Sequence, residues 1–581
     1  MEYQLYNSEF SQSQDIEITA IERVLTNRGI PLNEVEHYLN TTDDDIIDPL
    51  KLNNVHEGAI MLIKHIERRD NVLIQIDSDC DGYTSAAVLI NYLNCLFPAF
   101  AQNNIFYRVH TGKQHGLIPE TVPDDVKLVI MPDSSSNDYE QHKIMKEKGI
   151  DVLVIDHHEA KEISEYACVI NNQLCDYPNK TLSGVGVVYK FCSYIDSLLG
   201  TKHADKYLDL VALGIVGDVM DLRNFETKHL VNKGLQQIQN PYFKSMVEKA
   251  EFKIGKSITV DGVAFYVAPY VNAVTRVGSQ EEKLTLFESM LDHRAYEQVP
   301  STKRGCKGQT EARVEQACRS CANIKNRQTK ARDESLNKIE QTIEENQLLD
   351  NKILIVPLEN GSVNRNLTGL IANMLMGKYQ RPVMLLSKTE CMYEGSARGS
   401  NQSKFDNFKE FVNNSGYADY AEGHAQAFGA GIPQCRLDDF IECSNLELAD
   451  FDFSPYYKVD CIYDYENVNS SFILDVANNK SLWGTGVPEP LIAIENVKVS
   501  KDNITLMSKD RNPTLKITLP NGGSLIKFRS SNEEYENLYS ELGCVTINVV
   551  GKCERNEWNG KISPQIIMED YEIIERQQFY F

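Results

Sequence analysis

The feature that most constrains this chain is a recurrence. Short apolar runs suited to buried strands lie at residues 72–76, 105–109, 126–131, 152–155 and 168–170, with helix-patterned stretches such as 84–96 between several of them. Strands alternating with helices imply a parallel, doubly wound sheet, in which ligands collect beyond the carboxyl ends of the strands. The polar residues fall at those ends. The first run leads into Asp77-Ser78-Asp79-Cys80-Asp81-Gly82, the third into Asp133 and the fourth into Asp156-His157-His158, while an apolar helix at 208–216 delivers Asp218 and Asp221. Four segments thus bring carboxylates and imidazoles to one sheet edge. So much negative charge in one place is unfavourable unless cations neutralise it. Carboxylates with His and no thiolates suit Mn²⁺ or Mg²⁺ better than structural zinc. Two such ions about 4 Å apart activate water and stabilise phosphoryl oxygens in an in-line displacement. The chemistry implied is phosphoester hydrolysis.

Each piece has a plainer reading. A DxDxDG run can be a calcium loop, but the Glu required six residues after the glycine is here Val88, inside an apolar helix. Adjacent histidines are ordinarily surface or core residues. The order of the groups, each after a strand of one sheet, favours a site over these readings. The 581 residues allow three or four domains, and 42% apolar and 9% aromatic content excludes a wholly disordered chain. A net charge of −24 argues against a protein that coats nucleic acid nonspecifically, unless positive charge is segregated into a local track. The 14 cysteines follow no framework spacing, no basic-then-apolar stretch opens the chain, and no apolar run approaches membrane-spanning length. A reduced, cytoplasmic protein that does not engage a membrane is expected. Cys318 and Cys321 have CxxC spacing, but without a second pair and within a helical stretch they read as packing residues rather than zinc ligands.

At this point a family resemblance becomes specific. Residues 77–82, Asp133, Asp156-His157-His158 and Asp218 resemble the four motifs of the DHH phosphoesterases. Pro269-Tyr270-Val271-Asn272-Ala273-Val274-Thr275-Arg276 is similar to the PRxNAxGR segment of RecJ-type single-strand DNA exonucleases, and Asn326-Arg327-Gln328 to their NxxRQ signature. Glu394-Gly395-Ser396-Ala397-Arg398 and Glu422-Gly423-His424-Ala425 resemble the GSxR and GGHxxA elements of the associated DHHA1 domain. The likeness runs from about residue 15 to about residue 570.

The resemblance implies Asp79, Asp81, Asp133, His157 and Asp218 as ligands of two divalent cations, with Mn²⁺ preferred over Mg²⁺. Asp77, Asp156 and His158 complete the catalytic set, His158 by contacting the scissile phosphate. Asn272, Arg276, Arg327, Ser396, Arg398 and His424 are implied as substrate-binding. His157 must be neutral to bind a metal, and Asp156 is placed to fix its tautomer. Asp221 reads as structural. Three departures stand out: Tyr270 and Thr275 replace an Arg and a Gly, Ser134-Ser135-Ser136 replaces the commoner Asn-Gly after the second-motif aspartate, and Glu422 replaces a glycine beside a phosphate-binding element.

The rest of the chain has its own pattern. A second α/β segment has strands at 352–357 and 382–386 around a helix at 367–376, with Gly395, Ser396, Gly399 and Gly423 small enough to admit a ligand against backbone. Residues 301–332 carry nine Lys/Arg against two Glu, which reads as a solvated linker helix, a positive wall tracking a phosphate backbone, or both at once. Beyond 450 about five short strands suggest a small barrel, and residues 498–529 hold seven Lys/Arg against two Asp. Phe528 and Trp558 are candidate stacking platforms, with barrel core as the plainer alternative. The expected architecture is α/β: a helical lead-in (1–70), a parallel-sheet DHH domain (71–300), a long basic connecting helix (301–350), a DHHA1 domain (351–449) and an OB-like β-barrel (450–581). The implied function is 5′-to-3′ single-stranded DNA exonucleolysis releasing nucleoside 5′-monophosphates in repair, recombination or replication. A monomer acting on single-stranded DNA is expected, with a single-strand-binding protein or helicase as assistant. The rivals are a small-substrate phosphodiesterase of nanoRNase or cyclic-dinucleotide type and a noncatalytic replication scaffold.

Overall fold

The computed structural model describes residues 1–6, 18–111, 114–254, 258–400, 402–508, 512–541 and 543–578. Residues 7–17 of the expected helical lead-in therefore lie outside the described residues. The chain forms two compact units, one of residues 28–327 with 480–488, the other of residues 1–27, 328–479 and 489–581. Among the described residues no helix is long and apolar enough to cross a membrane.

In the first unit the five apolar runs are strands: β1 (Asn71–Ile76), β2 (Ile105–Val109), β3 (Val126–Pro132), β4 (Asp151–Asp156) and β5 (Cys168–Asn171). All pair in parallel, in the order β2-β1-β3-β4-β5. Their apolar runs are continuous because both faces are covered. Val72, Ile74, Ile76, Leu128, Ile130, Leu153 and Ile155 pack to one side with α1 (Cys80–Leu96), α2 (Gly184–Leu199) and α3 (Leu208–Gly217). Leu73, Val129, Met131, Val152 and Val154 pack to the other. Strand order reverses between β1 and β3, so the crevice at their carboxyl ends is the switch point where such sheets bind ligands. Farther along lie α4 (Ala268–Val277), α5 (Gln280–Ser289) and the 33-residue α6 (Arg313–Glu345), which runs on into the chain of the other unit.

The other unit contains two sheets of five or more strands. In one, β6 (Leu354–Leu358) and β7 (Val383–Lys388) flank α7 (Thr368–Tyr379) in sequence and pair in parallel. β8 (Met392–Arg398), β9 (Tyr420–His424) and β10 (Ala427–Pro433) add antiparallel pairs, in the order β9-β10-β8-β7-β6. The last sheet has seven strands, β11 (Cys461–Asp464), β12 (Leu491–Val499), β13 (Ile504–Met507), β14 (Thr514–Thr518), β15 (Ser524–Phe528), β16 (Gly543–Trp558) and β17 (Lys561–Gln578), ordered β11-β12-β16-β17-β15-β14-β13. The barrel expected here is, among the described residues, a sheet whose edge strands β11 and β13 share no ladder. Closing such a sheet needs strand tilt and a stagger that bring its two edges together, and here the edge strands are short, four residues each, beside a central pair of 16 and 18.

Candidate metal centre

Asp77 follows β1, and Asp79 is the N-cap of α1, its Oδ1 accepting from Gly82 N–H at 2.9 Å. That cap is why the chain turns from strand to helix here, and it leaves Asp81 one residue inside the helix, buried. The Asp81 carboxylate meets the start of α2, accepting from Gly184 N–H (2.7 Å), Val185 N–H (3.1 Å) and the Ser183 hydroxyl (3.1 Å). Asp133 follows β3 with a left-handed φ of 64°, its N–H donating to Ile155 O at 2.8 Å. Asp218 caps the carboxyl end of α3.

These groups converge. The His157 Nε2 atom lies 3.3 Å from Asp133 Oδ1, 3.4 Å from Asp218 Oδ2 and 3.9 Å from Asp81 Oδ2. Asp133 Oδ1 and Asp218 Oδ2 are buried and accept no hydrogen bond from the protein. Burial, reinforced by Asp81, Asp79 and Asp77, pushes Asp133 well above the ordinary carboxylate range. Burial and then Asp81 and Asp79 lift Asp218 to about 8, and burial with Asp77 lifts Asp79 to about 6. His157 is pushed down, chiefly by burial, and so presents a neutral imidazole. Carboxylate oxygens that lack donors and face a neutral imidazole fit a divalent cation with oxygen and nitrogen ligands. Ligand-sized groupings are Asp81 with His157 and Asp218, Asp77 with Asp79 and Asp133, and Asp133 with His157 and His158.

Asp156 departs from expectation. Its carboxylate holds not the His157 ring but the His158 ring, with Nδ1 at 2.8 Å from Oδ1, and accepts from the main-chain N–H of His157 (2.7 Å), His158 (3.2 Å) and Ser136 (3.0 Å). The chain curls after β4, so the carboxylate caps the next two amides and only the second ring reaches back. Burial alone would raise Asp156, but His158 and then Ser136 hold it far below the usual range. Burial would likewise lower His158, yet Asp156 overrides it and raises it to about 9, so this ring is an imidazolium at neutral pH.

Three residues escaped the sequence reading. His115 Nδ1 lies 2.7 Å from Asp77 Oδ1, and its ring centroid is 5.8 Å from that of His158. Ser183 and Gly184 hold Asp81, and a Cβ on Gly184 would stand 2.2 Å from Asp133 Oδ1. The Ser183-Gly184-Val185-Gly186 run opening a helix is the signal that could have found the last two.

Of the implied substrate residues in this unit, Asn272 accepts from Cys80 N–H at 3.0 Å and so ties α4 to the start of α1. Arg276 is exposed in the last turn of α4, and Arg327 makes two 3.0 Å bonds to Glu282 on α5. The basic stretch is largely paired. Lys303 and Arg319 meet Glu311, Arg313 meets Glu288 and Glu297, Lys330 meets Glu334 and Arg332 meets Asp333. These acids come from within the stretch (Glu311), from just after it (Asp333, Glu334) and from earlier in the chain (Glu282, Glu288, Glu297), so several of its cations are locally paired. Cys318 and Cys321 are buried in α6, with Cys321 Sγ 3.6 Å from the Tyr242 hydroxyl, and no metal-ligand grouping among the described residues includes them.

In the other unit Ser396, Gly429 and Glu422 form one cross-strand row, as do Arg398, Ala427 and His424. Residues two apart share a sheet face, so Gly429 and Ala427 form a floor between Ser396 and Arg398 on β8 and Glu422 and His424 on β9. Ser396 Oγ is 2.9 Å from the Thr368 hydroxyl at the start of α7, and Arg398 Nη1 donates to Ala397 O at 2.7 Å. A Cβ on Gly369 would lie 2.6 Å from Arg398 Nη2. Gly395 and Gly399 serve packing rather than a ligand, since their Cβ atoms would strike Leu385 O at 1.9 Å and Gln426 Oε1 at 1.8 Å. In the last sheet Phe528 is 59% and Trp558 73% exposed, so neither is core. Trp558 stands beside the Asn559-Gly560 turn, whose φ values of 50° and 75° are those of a type I′ hairpin.

Comparison with known proteins gives this arrangement a context. A model of the DHH family, N-terminal domain, matches residues 71–215, and one of the RecJ OB domain matches residues 459–570. The chain is 35% identical, over all of its own length and 99% of the relative's, to an SPbeta prophage-derived protein of Bacillus subtilis strain 168 described as the single-strand DNA-specific exonuclease YorK. It is 25% identical to the single-stranded-DNA-specific exonuclease RecJ of the same bacterium, covering 98% of this chain and 70% of that one. In fold it is similar to RecJ of Thermus thermophilus in complex with Mn²⁺, with a TM-score of 0.71 at 19% identity over 99% of this chain and 80% of that one. The Mg²⁺ complex of that protein matches with a TM-score of 0.63 at 18% identity over 99% of this chain and 79% of that one.

Proposed function

We infer the activity from membership: the chain belongs to the RecJ-like single-strand-DNA-specific exonucleases of the DHH family. The reading its site supports best is a metal-dependent hydrolase that removes nucleotides from single-stranded DNA. One observation carries it, the convergence of Asp81, Asp133 and Asp218 oxygens on His157 Nε2 with two buried carboxylate oxygens lacking donors.

Asp79, Asp81, Asp133, His157 and Asp218 would hold two divalent cations, Mn²⁺ in preference to Mg²⁺. When bound, such cations supply Lewis acidity toward the phosphoryl oxygens and activation of water. The chain's own groups do the rest. The α2 amides fix the Asp81 carboxylate, and His115 fixes Asp77. His158, kept protonated by Asp156, sets a positive charge beside the cluster, where a scissile phosphate collects negative charge. Asn272 positions the start of α1, while Arg276 and Arg327 serve as phosphate contacts. The second α/β sheet is read as a DHHA1 domain in which Ser396, Arg398 and His424 bind substrate. The seven-stranded sheet is read as an OB-like module, with exposed Phe528 and Trp558 for base stacking. The family resemblance is what supports the proposed domain plan of 1–70, 71–300, 301–350, 351–449 and 450–581, and with it 5′-to-3′ polarity, nucleoside 5′-monophosphate products, and a monomer aided by a single-strand-binding protein or helicase in repair, recombination or replication.

The test is degradation of 5′- and 3′-labelled single-stranded DNA, the matching RNA and a dinucleotide, with Mn²⁺ and with EDTA. Early release of labelled mononucleotide from the 5′-labelled DNA, abolished by EDTA, is expected. Turnover of the dinucleotide alone, or release from the 3′ end first, would overturn the reading.

A further inference from the structure

α3 ends in a Schellman turn: Val219 N–H donates to Val216 O and Met220 N–H to Ile215 O, each at 3.2 Å. Such a turn requires a left-handed residue just past the cap, and Val219 has φ 60°. Glycine or asparagine suits that place, and for a β-branched residue it is a strained outlier. Among the described residues, the other eleven non-glycine residues of positive φ are Asn, Asp, Arg, Gln or Ser, so Val219 is the sole β-branched one. Packing does not explain it, because Val219 is 65% exposed.

Two local preferences are thus broken at one residue, a glycine-type turn position and a water-facing position. The turn is held from its far side. Leu222 N–H donates to Thr485 O at 2.9 Å, Arg223 N–H to Asp221 Oδ1 at 2.9 Å, and Asp221 fits against Gly486, where a Cβ would lie 1.9 Å from its Oδ1. Strain that surroundings impose in this way clusters where a ligand is met. Val219 directly follows Asp218, whose Oδ2 is 3.4 Å from His157 Nε2, so its main chain adjoins a residue of the metal centre.

We propose that Val219 is a substrate-contact residue, a stiff apolar rest for the sugar or base of the nucleotide whose phosphodiester enters the Asp/His centre. The proposal rests on the exonuclease reading above. A β-branched side chain has little rotamer freedom to lose on contact. It offers nothing to a phosphate, so it distinguishes a nucleotide from a bare phosphodiester.

Val219→Gly removes the side chain and relieves the turn, while Val219→Asn keeps a residue suited to left-handed backbone but makes the contact polar. Both are expected to keep a thermal midpoint at or above wild type. With Mn²⁺ their KM for single-stranded DNA should rise about five- to tenfold with kcat within about twofold, and the Kd of a fluorescent oligothymidylate measured with Ca²⁺ should rise equally. On an oligonucleotide lacking its terminal base, a penalty that persists assigns the contact to the sugar, and one that vanishes assigns it to the base. A wild-type protein that neither binds nor cuts single-stranded DNA removes the exonuclease reading and this proposal with it. If wild type cuts, variants with unchanged KM and Kd, or with a lowered midpoint, remove the Val219 contact alone.

Discussion

In the crevice between β1 and β3, the carboxylates of Asp81, Asp133 and Asp218 face one imidazole, and one oxygen each of Asp133 and Asp218 has no protein donor. On the face shared by β8, β10 and β9, Gly429 and Ala427 present almost no side chain between Ser396 and Arg398 on one side and Glu422 and His424 on the other. The crevice has an excess of one charge at fixed points, so only small cations complete it, and each ligand position is all or nothing. The ledge has area and a few mixed charges, so it is completed by something broad, and its contacts are graded. Chemistry and grip are thereby separable by the size of a mutation's effect.

The largest effect belongs to the crevice. Asp133→Ala removes one of the donor-free oxygens, and a loss of more than about a thousandfold in kcat on labelled single-stranded DNA with Mn²⁺ is expected. Degradation as fast as wild type would break the comparison at its root. Gly184→Ala comes next. Its Cβ would lie 2.2 Å from Asp133 Oδ1, so the carboxylate must shift, and a misplacement of that kind costs about a hundredfold in kcat/KM. Unchanged kinetics in the folded variant would show that Asp133 has slack.

Cation binding is also readable in stability. Asp133 and Asp218 have raised pKa values in the folded protein, so the native state holds more protons than the unfolded one between the ordinary Asp value and the folded one, about 8 for Asp218. Stability then falls as pH rises through that window. In EDTA the thermal midpoint should be lower at pH 8.5 than at pH 6, and Mn²⁺ should flatten the slope. A cation at a hundred times its Kd adds about 2.7 kcal/mol. Identical slopes with and without Mn²⁺ would mean that the cluster takes no cation.

On the ledge the expected changes are smaller. Arg398→Ala should raise KM for single-stranded DNA about tenfold with kcat little altered, in line with one charge-assisted contact. A kcat loss as large as that of Asp133→Ala would merge the two regions into one function.

The same contrast explains what could be read beforehand. Carboxylates at the ends of apolar strands are a one-dimensional pattern, so β1, β3, β4 and the residues following them were legible once the parallel sheet was inferred. What the pattern hides is contact across sequence. Asp156 was expected to hold His157 but holds His158, because the curl after β4 is a matter of backbone amides. His115 sits in a loop without a motif and reaches Asp77 because β2 lies beside β1. The cations of 301–332 read as a solvated linker helix or a positive wall, and the pattern could not show that Glu282, Glu288 and Glu297, from earlier in the chain, pair with Arg327 and Arg313. Gly395 and Gly399 looked like ligand glycines and are packing glycines, whereas the floor at Gly429 drew no notice.

Glu422 gives the smallest and most diagnostic prediction. It shares a row with Gly429 and Ser396 and is exposed, so its charge lies on the face that carries Arg398 and His424. Exposure to solvent and salt screening keep its repulsion toward a phosphate small. Glu422→Gly should lower KM for single-stranded DNA about threefold at low salt, with the gain shrinking toward nothing as ionic strength rises and kcat unchanged. Cross-strand neighbours this close leave little room for the charge to be irrelevant if a phosphate backbone crosses the floor. An unchanged KM at low salt would therefore move the DNA off this face, while a fall in kcat would show that the ledge, like the crevice, positions the reacting phosphate.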